Sequence, residues 1–261
     1  MSKDLVVPAP AGALSEIDQA VAAEIAADEH SFVYHPPRYR IAGGGTGMFQ
    51  NVLDKKEVFP EFRGIILASM ITRALWPNRL GEDADDKRPL CWSAGGVQGL
   101  WSRDDGSVVQ VNCLSCPYNA WGSEVKAGPD GTKRAGRGKA CKEMRRFLVL
   151  PAERDMPAIL TIPPTSCVEF DVYASHLKDL RRARYFFTVE TIIQLADAMN
   201  AAGQPYSVAK FQVGPDLAPE QKSAVLALRA RFKAAIGDVP EYEEYTDQNG
   251  APKDPHDPDQ W

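Results

Sequence analysis

Four of the five cysteines in this chain are spaced as a metal-ligand set. The stretch CLSCPYNAWGS, residues 113–123, holds Cys113 and Cys116 two residues apart, and Cys91 and Cys141 flank it at similar distances. Zinc takes four soft or borderline ligands at the corners of a tetrahedron, and a C-x2-C turn supplies two of them from one knuckle. The spacing therefore predicts a structural Zn2+ site of Cys91, Cys113, Cys116 and Cys141. Four thiolates leave the metal no open position for a substrate water. The competing reading makes Cys91 and Cys141 unrelated small core residues. A thioredoxin-like redox pair would need a strand-to-helix junction in a βαβ fold, and no such alternation is visible. The odd cysteine count and the lack of a secretory signal argue against a disulfide framework. Cys167, in PPTSCVEF, reads as a core residue.

Positive charge and aromatic rings gather around the same cysteines. Residues 126–146 hold Lys126, Lys133, Arg134, Arg137, Lys139, Lys142, Arg145 and Arg146 against Asp130 and Glu143, a net of +6. Trp92, Trp101, Tyr118 and Trp121 lie close by in sequence. Cations for phosphate and flat side chains for bases are the two requirements of a single-strand binder. The expected contacts are Lys133, Arg134, Arg137, Lys139, Lys142, Arg145 and Arg146 to phosphate, with the four aromatics as stacking candidates. The bland alternative is a solvated charged face over core tryptophans. No catalytic constellation is present. The histidines are scattered, GGGTG at 43–47 lacks the G-K-[ST] ending of a phosphate loop, and no H-E-x-x-H or G-x-S-x-G motif occurs. The chain is therefore not expected to be an enzyme.

The net charge of −5 hides this patch, because the charge is segregated. Residues 238–261 carry eight acids against Lys253, a net of −7, so the preceding 237 residues hold +2. This acidic, proline-bearing end is expected to be a disordered tail. It finishes on Trp261, an aromatic suited to anchoring in a partner's pocket. No apolar run reaches the roughly 20 residues that span a bilayer. The opening MSKDLVVPAPAGALSEIDQ has no apolar signal core, so a cytoplasmic protein without membrane partners is expected, in the host cytoplasm if it is phage-encoded.

The elements that must position these residues are mostly strands. An Ala-rich helix is expected over 11–29, capped by Ser15. Strands follow before the glycines of 43–47, then at 62–77, 107–113, 145–152, 157–166, 184–196 and 206–214, with helices at 168–183 and 216–237. Residues 81–89 read as a loop by composition. The fold class is mainly β (α+β): an OB-like antiparallel barrel with an inserted four-cysteine zinc subdomain and flanking helices. The expected organisation is an N-terminal helical segment at 1–30, a core at 31–214 with its insertion at about 90–147, a C-terminal helix at 215–237 and the tail at 238–261.

A basic core followed by an acidic tail tipped with an aromatic resembles single-stranded DNA-binding proteins of bacteria and phages. That resemblance implies an OB-fold that holds the strand and a tail that recruits replication and recombination proteins. One such phage family also carries a structural zinc subdomain. The stretches CWSAGGVQGLW, CLSCPYNAWGS, GKACKEMRRFLVL and LTIPPTS resemble uncharacterised proteins of phages and integrating elements. The chain departs from the pattern in its longer insertion, its all-cysteine ligand set and its DPDQW ending. The expected function is sequence-tolerant binding of single-stranded DNA in phage or mobile-element replication or recombination. The alternative is a zinc-stabilised protein-interaction adaptor or regulator without DNA binding.

Overall fold

The computed structural model describes residues 20–21, 24, 34–76, 89–103, 105–127, 132–179, 184–199, 203 and 205–237. Of the N-terminal helix expected over 11–29, only Ala20, Val21 and Glu24 are described, and each is helical; most of the loop at 81–89 and the tail with Trp261 lie outside the described residues. So does Leu180, at the end of the helix expected over 168–183.

The chain centres on β4 (Glu61–Leu75), a strand of 15 residues. One edge of β4 pairs antiparallel along its length with β10 (Lys142–Pro151). Its other edge is shared. β12 (Val189–Met199) takes Glu61–Gly64, and β5 (Cys91–Ala94) takes Thr72–Leu75. β10 pairs onward with β11 (Ala158–Ile162), and β12 with β13 (Pro205–Asp216). Beyond β11 lie β1 (Arg38–Ile41), β2 (Phe49–Asn51) and β3 (Val58–Phe59). Beyond β5 lie β6 (Gln98–Ser102) and β7 (Val108–Asn112). Eleven strands thus form one sheet, and β8 (Val125–Ala127) with β9 (Lys133–Ala135) forms a separate two-stranded ribbon.

The sheet differs from the expected OB-like antiparallel barrel on two counts. The sheet is mixed, because β1 runs parallel to β11, and it is not closed. The edge of β11 that would have to reach β13 is already occupied by β1, whose Arg38, Tyr39 and Arg40 register with Ile159, Leu160 and Thr161.

Both faces of the central strands are covered, which explains their near-continuous apolar runs. On one face α1 (Pro164–Asp179) lays Phe170, Tyr173 and Leu177 over Phe62, Ile66, Phe147, Val149 and Leu160. On the other, α2 (Pro219–Phe232) and the 3-10 turn Lys233–Gly237 bring Val225, Phe232 and Ile236 onto Ile65, Leu67, Leu148 and Ile159. Each such fully buried side chain contributes about 1.5–3 kcal/mol relative to exposure. Leu148 opposes Ala68 and Val149 opposes Ile66, so Leu67 is the extra residue of a bulge. Its carbonyl, lost to the ladder, accepts a hydrogen bond from the Arg229 guanidinium of α2. That guanidinium also lies 4.8 Å from the Phe187 ring centroid.

Among the boundaries that differ from the sequence expectation, two have a local cause. The strand read over 157–166 stops at Ile162, because Pro164 starts α1, where its fixed φ suits a first helical position. Residues 185–188 form a turn before β12, closed by the Thr188 N–H to the Tyr185 carbonyl at 2.8 Å.

Candidate functional site

The segment between β4 and β10 carries the predicted site. Register decides its geometry first. Cys91 stands opposite Leu75 on β4 and opposite Trp101 on β6, and Trp101 stands opposite Val109 on β7. Residues directly opposed across strands share a sheet face. Cys91, Gly99, Trp101, Val109 and Val111 therefore line one face of the β5–β6–β7 meander. Gly99 must be small: a Cβ there would stand 3.0 Å from Cys91 Sγ and 3.2 Å from Cys113 Sγ.

The knuckle is built by backbone bonds. The Cys113 N–H donates to the Val97 carbonyl at 2.8 Å. The Asn119 N–H donates to the Cys116 carbonyl at 3.0 Å, and its side-chain amide donates to the Cys113 carbonyl at 2.8 Å. Cys141 arrives through its N–H to the Tyr118 carbonyl at 2.9 Å. Gly122, at φ +81, donates to both the Arg137 and Gly138 carbonyls. Residues 118–127 and 133–141 are so joined into one hairpin, with the β8–β9 ribbon at its far end.

The outcome is a small cavity of about 10 Å3, lined by all four cysteines with Leu75, Trp101, Val111 and Tyr118 among its other walls. Cys91, Cys113 and Cys141 are buried. Burial first, then the neighbouring cysteines, pushes the Cys91 thiol up to about 11 and the Cys141 thiol up to about 12. As they stand, no group of three or more His, Cys, Asp or Glu among the described residues forms a cluster that could hold an ion. The residue types nevertheless match those zinc takes: four cysteines line one small void, with no carboxylate among its walls. Cys167 is remote from this set. Its thiol contacts the Pro163 carbonyl at 3.5 Å in the first turn of α1.

The predicted nucleic-acid contacts divide. Arg146 is fully buried and donates to the Ile236 carbonyl at 3.2 Å, which corrects its assignment to phosphate. It alternates with Phe147 on β10 and so points under the C-terminal turn. Lys142 pairs with Glu124 at 2.6 Å with 11% of its side chain exposed. Arg145 pairs with Asp171 at 2.7 Å and lies over the Phe170 ring. These three belong to the packed body. Arg137 is exposed, and Lys139 Nζ sits 5.1 Å from the Trp121 ring centroid. Lys126, Lys133 and Arg134 lie on the ribbon, where Lys126 registers with Arg134.

The aromatics divide as well. Trp101 and Tyr118 meet at 5.5 Å over the cysteine cavity. Trp92 registers with Leu100 and so occupies the opposite face of the meander. Trp121 is 59% exposed on the hairpin. Sequence reasoning missed the β5–β6 hairpin, although GG at 95–96, with φ of +87 and +71, was its turn signal. No protein-family model matches the chain, and no curated protein or solved structure matches it either.

Proposed function

We propose that this protein binds single-stranded DNA with little regard to sequence, in the replication or recombination of a phage or mobile element. The strand order supports an OB-like reading of the core. β4, β10, β11, α1, β12 and β13 follow one another as the three strands, helix and two strands of that fold, with its closing pair unmade. In this reading the insertion occupies the loop between the first and second strands, one of the two loops through which OB-folds engage oligonucleotides. The observation that carries the proposal is the hairpin in that loop, whose backbone carries Lys126, Lys133, Arg134, Arg137 and Lys139 and whose exposed Trp121 has Lys139 Nζ beside its ring.

The same reading takes the cysteine-lined insertion as a zinc subdomain. A Zn2+ held by Cys91, Cys113, Cys116 and Cys141 would tie the root of the hairpin to the meander and supply structure, not chemistry. Metal analysis of the full chain should return one zinc per molecule, retained in Cys167→Ser and lost in Cys141→Ser.

Fluorescence titration with dT oligomers at two salt concentrations tests the binding. Tryptophan quenching and an affinity that falls steeply with salt are expected. Equal affinity for duplex and single strands would defeat the proposal. The adaptor reading draws support from the uncharged outer face of β6–β7, where Leu100 and Val108 are exposed. It expects no DNA affinity even at low salt.

A further inference from the structure

The single strand has three surfaces to choose from: either face of the large sheet, or the insertion. Both faces of the central strands β4, β10 and β11 are closed to it. The α1 face is filled by the larger apolar core. The opposite face, which includes β10 and β11, lies under α2 and the 3-10 turn. In an OB-ordered core the face of the second and third strands is the usual oligonucleotide platform. Here those strands are β10 and β11, and Leu148, Ile159 and Arg146 on that face are fully buried.

Charge points the same way. The cations that β10 contributes are already committed: Arg146 to the Ile236 carbonyl, Lys142 to Glu124, Arg145 to Asp171. On the hairpin, by contrast, Arg137 is exposed with no ion-pair partner among the described residues. Lys126 and Arg134 are direct cross-strand partners. Trp121 lies a few residues away on the same hairpin, with 59% of its surface exposed and Lys139 Nζ beside its ring. A base can stack on such a ring while the adjoining phosphates meet the cations.

From this we infer that the nucleic-acid strand runs along the 118–141 hairpin, with Trp121 as its stacking residue and Arg137 and Lys139 as its phosphate contacts, and does not cross the covered faces of the central strands. This rests on the single-strand reading above and departs from the usual OB path. The bulk of the molecule then serves as a rigid mount for one arm.

Binding of dT and rU oligomers to the full chain tests it. Trp121→Ala should weaken binding about tenfold, and Trp121→Phe should recover most of that loss because the ring is kept. Arg137→Ala with Lys139→Ala should lower the logarithmic salt slope by about 1.4, the share of two phosphate contacts on a single strand. Lys222→Ala with Lys233→Ala, on the elements covering the sheet, should leave affinity within twofold. Circular dichroism of each variant should match the parent, since every altered side chain is at least partly exposed. A photo-reactive iodouracil oligomer should cross-link within residues 118–141. If the parent chain binds oligomers but Trp121→Ala binds equally well and the cross-link maps to α2 or β10, the path is wrong while the single-strand reading stands. If the parent binds neither dT nor rU, the reading itself fails and takes the path with it.

Discussion

Arg146 shows how little a residue type says until its neighbours are known. It sits in the run KEMRR, beside Arg145, and its charge suggests a surface. β10 alternates, so Arg145 and Arg146 face opposite sides, and Arg146 shares its side with Leu148 under Ile236. Its role is to satisfy a carbonyl of the C-terminal turn. Arg146→Met should therefore cost about 1–3 kcal/mol, the penalty of leaving a buried acceptor unpaired. It should leave the single-strand affinity of the folded protein unchanged. Denaturant unfolding and oligomer titration of the same sample would check both. An affinity loss as large as that of Trp121→Ala would return Arg146 to the interface. Gly99 makes the converse point: nothing in VQGLW marks it, yet its missing side chain is what lets two of the four sulfurs approach.

At the scale of elements, the β1–β2–β3 corner is held by one carboxylate. Glu57 accepts hydrogen bonds from Asn51 Nδ2 at 2.6 Å and Tyr39 Oη at 2.8 Å, and an ion pair from Arg154 at 2.5 Å. Arg154 lies in the β10–β11 turn, so this carboxylate ties two corners of the sheet together. Burial pushes its proton affinity up, but the bonds from Asn51 and Tyr39 and the Arg154 charge outweigh that and hold Glu57 below its ordinary value of 4.5. A carboxylate depressed in the folded state stabilises the fold fully above its unfolded value and loses that contribution as the pH falls through its folded value. Stability measured by denaturant should thus decline below about pH 4.5 in the parent. The decline should be shallower in Glu57→Gln. At neutral pH the substitution should cost about 1.5 kcal/mol, the low end for hydrogen bonds to a charged group, because solvent reaches part of the carboxylate. Parallel pH profiles in the two proteins would remove Glu57 from this role.

For the whole molecule the governing quantity is the separation of charge. The chain totals −5, but removing residues 238–261 leaves +2. A truncated chain of residues 1–237 should bind dT oligomers a few-fold more tightly than the parent at low ionic strength. The two should converge at 1 M salt, where the Debye length is about 3 Å. If truncation instead abolishes the only measurable interaction of the protein and DNA affinity is absent throughout, the adaptor reading gains. No described helix is long and apolar enough to cross a membrane.

Sequence alone determined what local pattern can determine. The apolar runs GIILASM, FLVL and AILTI announced β4, β10 and β11, because strands buried on both faces must be apolar without interruption. Phe170, Tyr173 and Leu177 marked the buried side of α1 by helical spacing. The types and spacing of four cysteines picked out the residues that now line one cavity. Only the tertiary structure decided which edges pair and which charges are buried. β1 joins β11 in parallel across more than 100 residues of chain, and that partner depends on which distant strand leaves an edge open. The eight cations of 126–146 look alike as sequence, yet packing beneath the C-terminal 3-10 turn takes one into the core, ion pairs hold two at the body, and the hairpin keeps the five that lie from Lys126 to Lys139. Burial is a non-local property: it depends on what the rest of the chain lays over a residue, and local spacing carries no record of that.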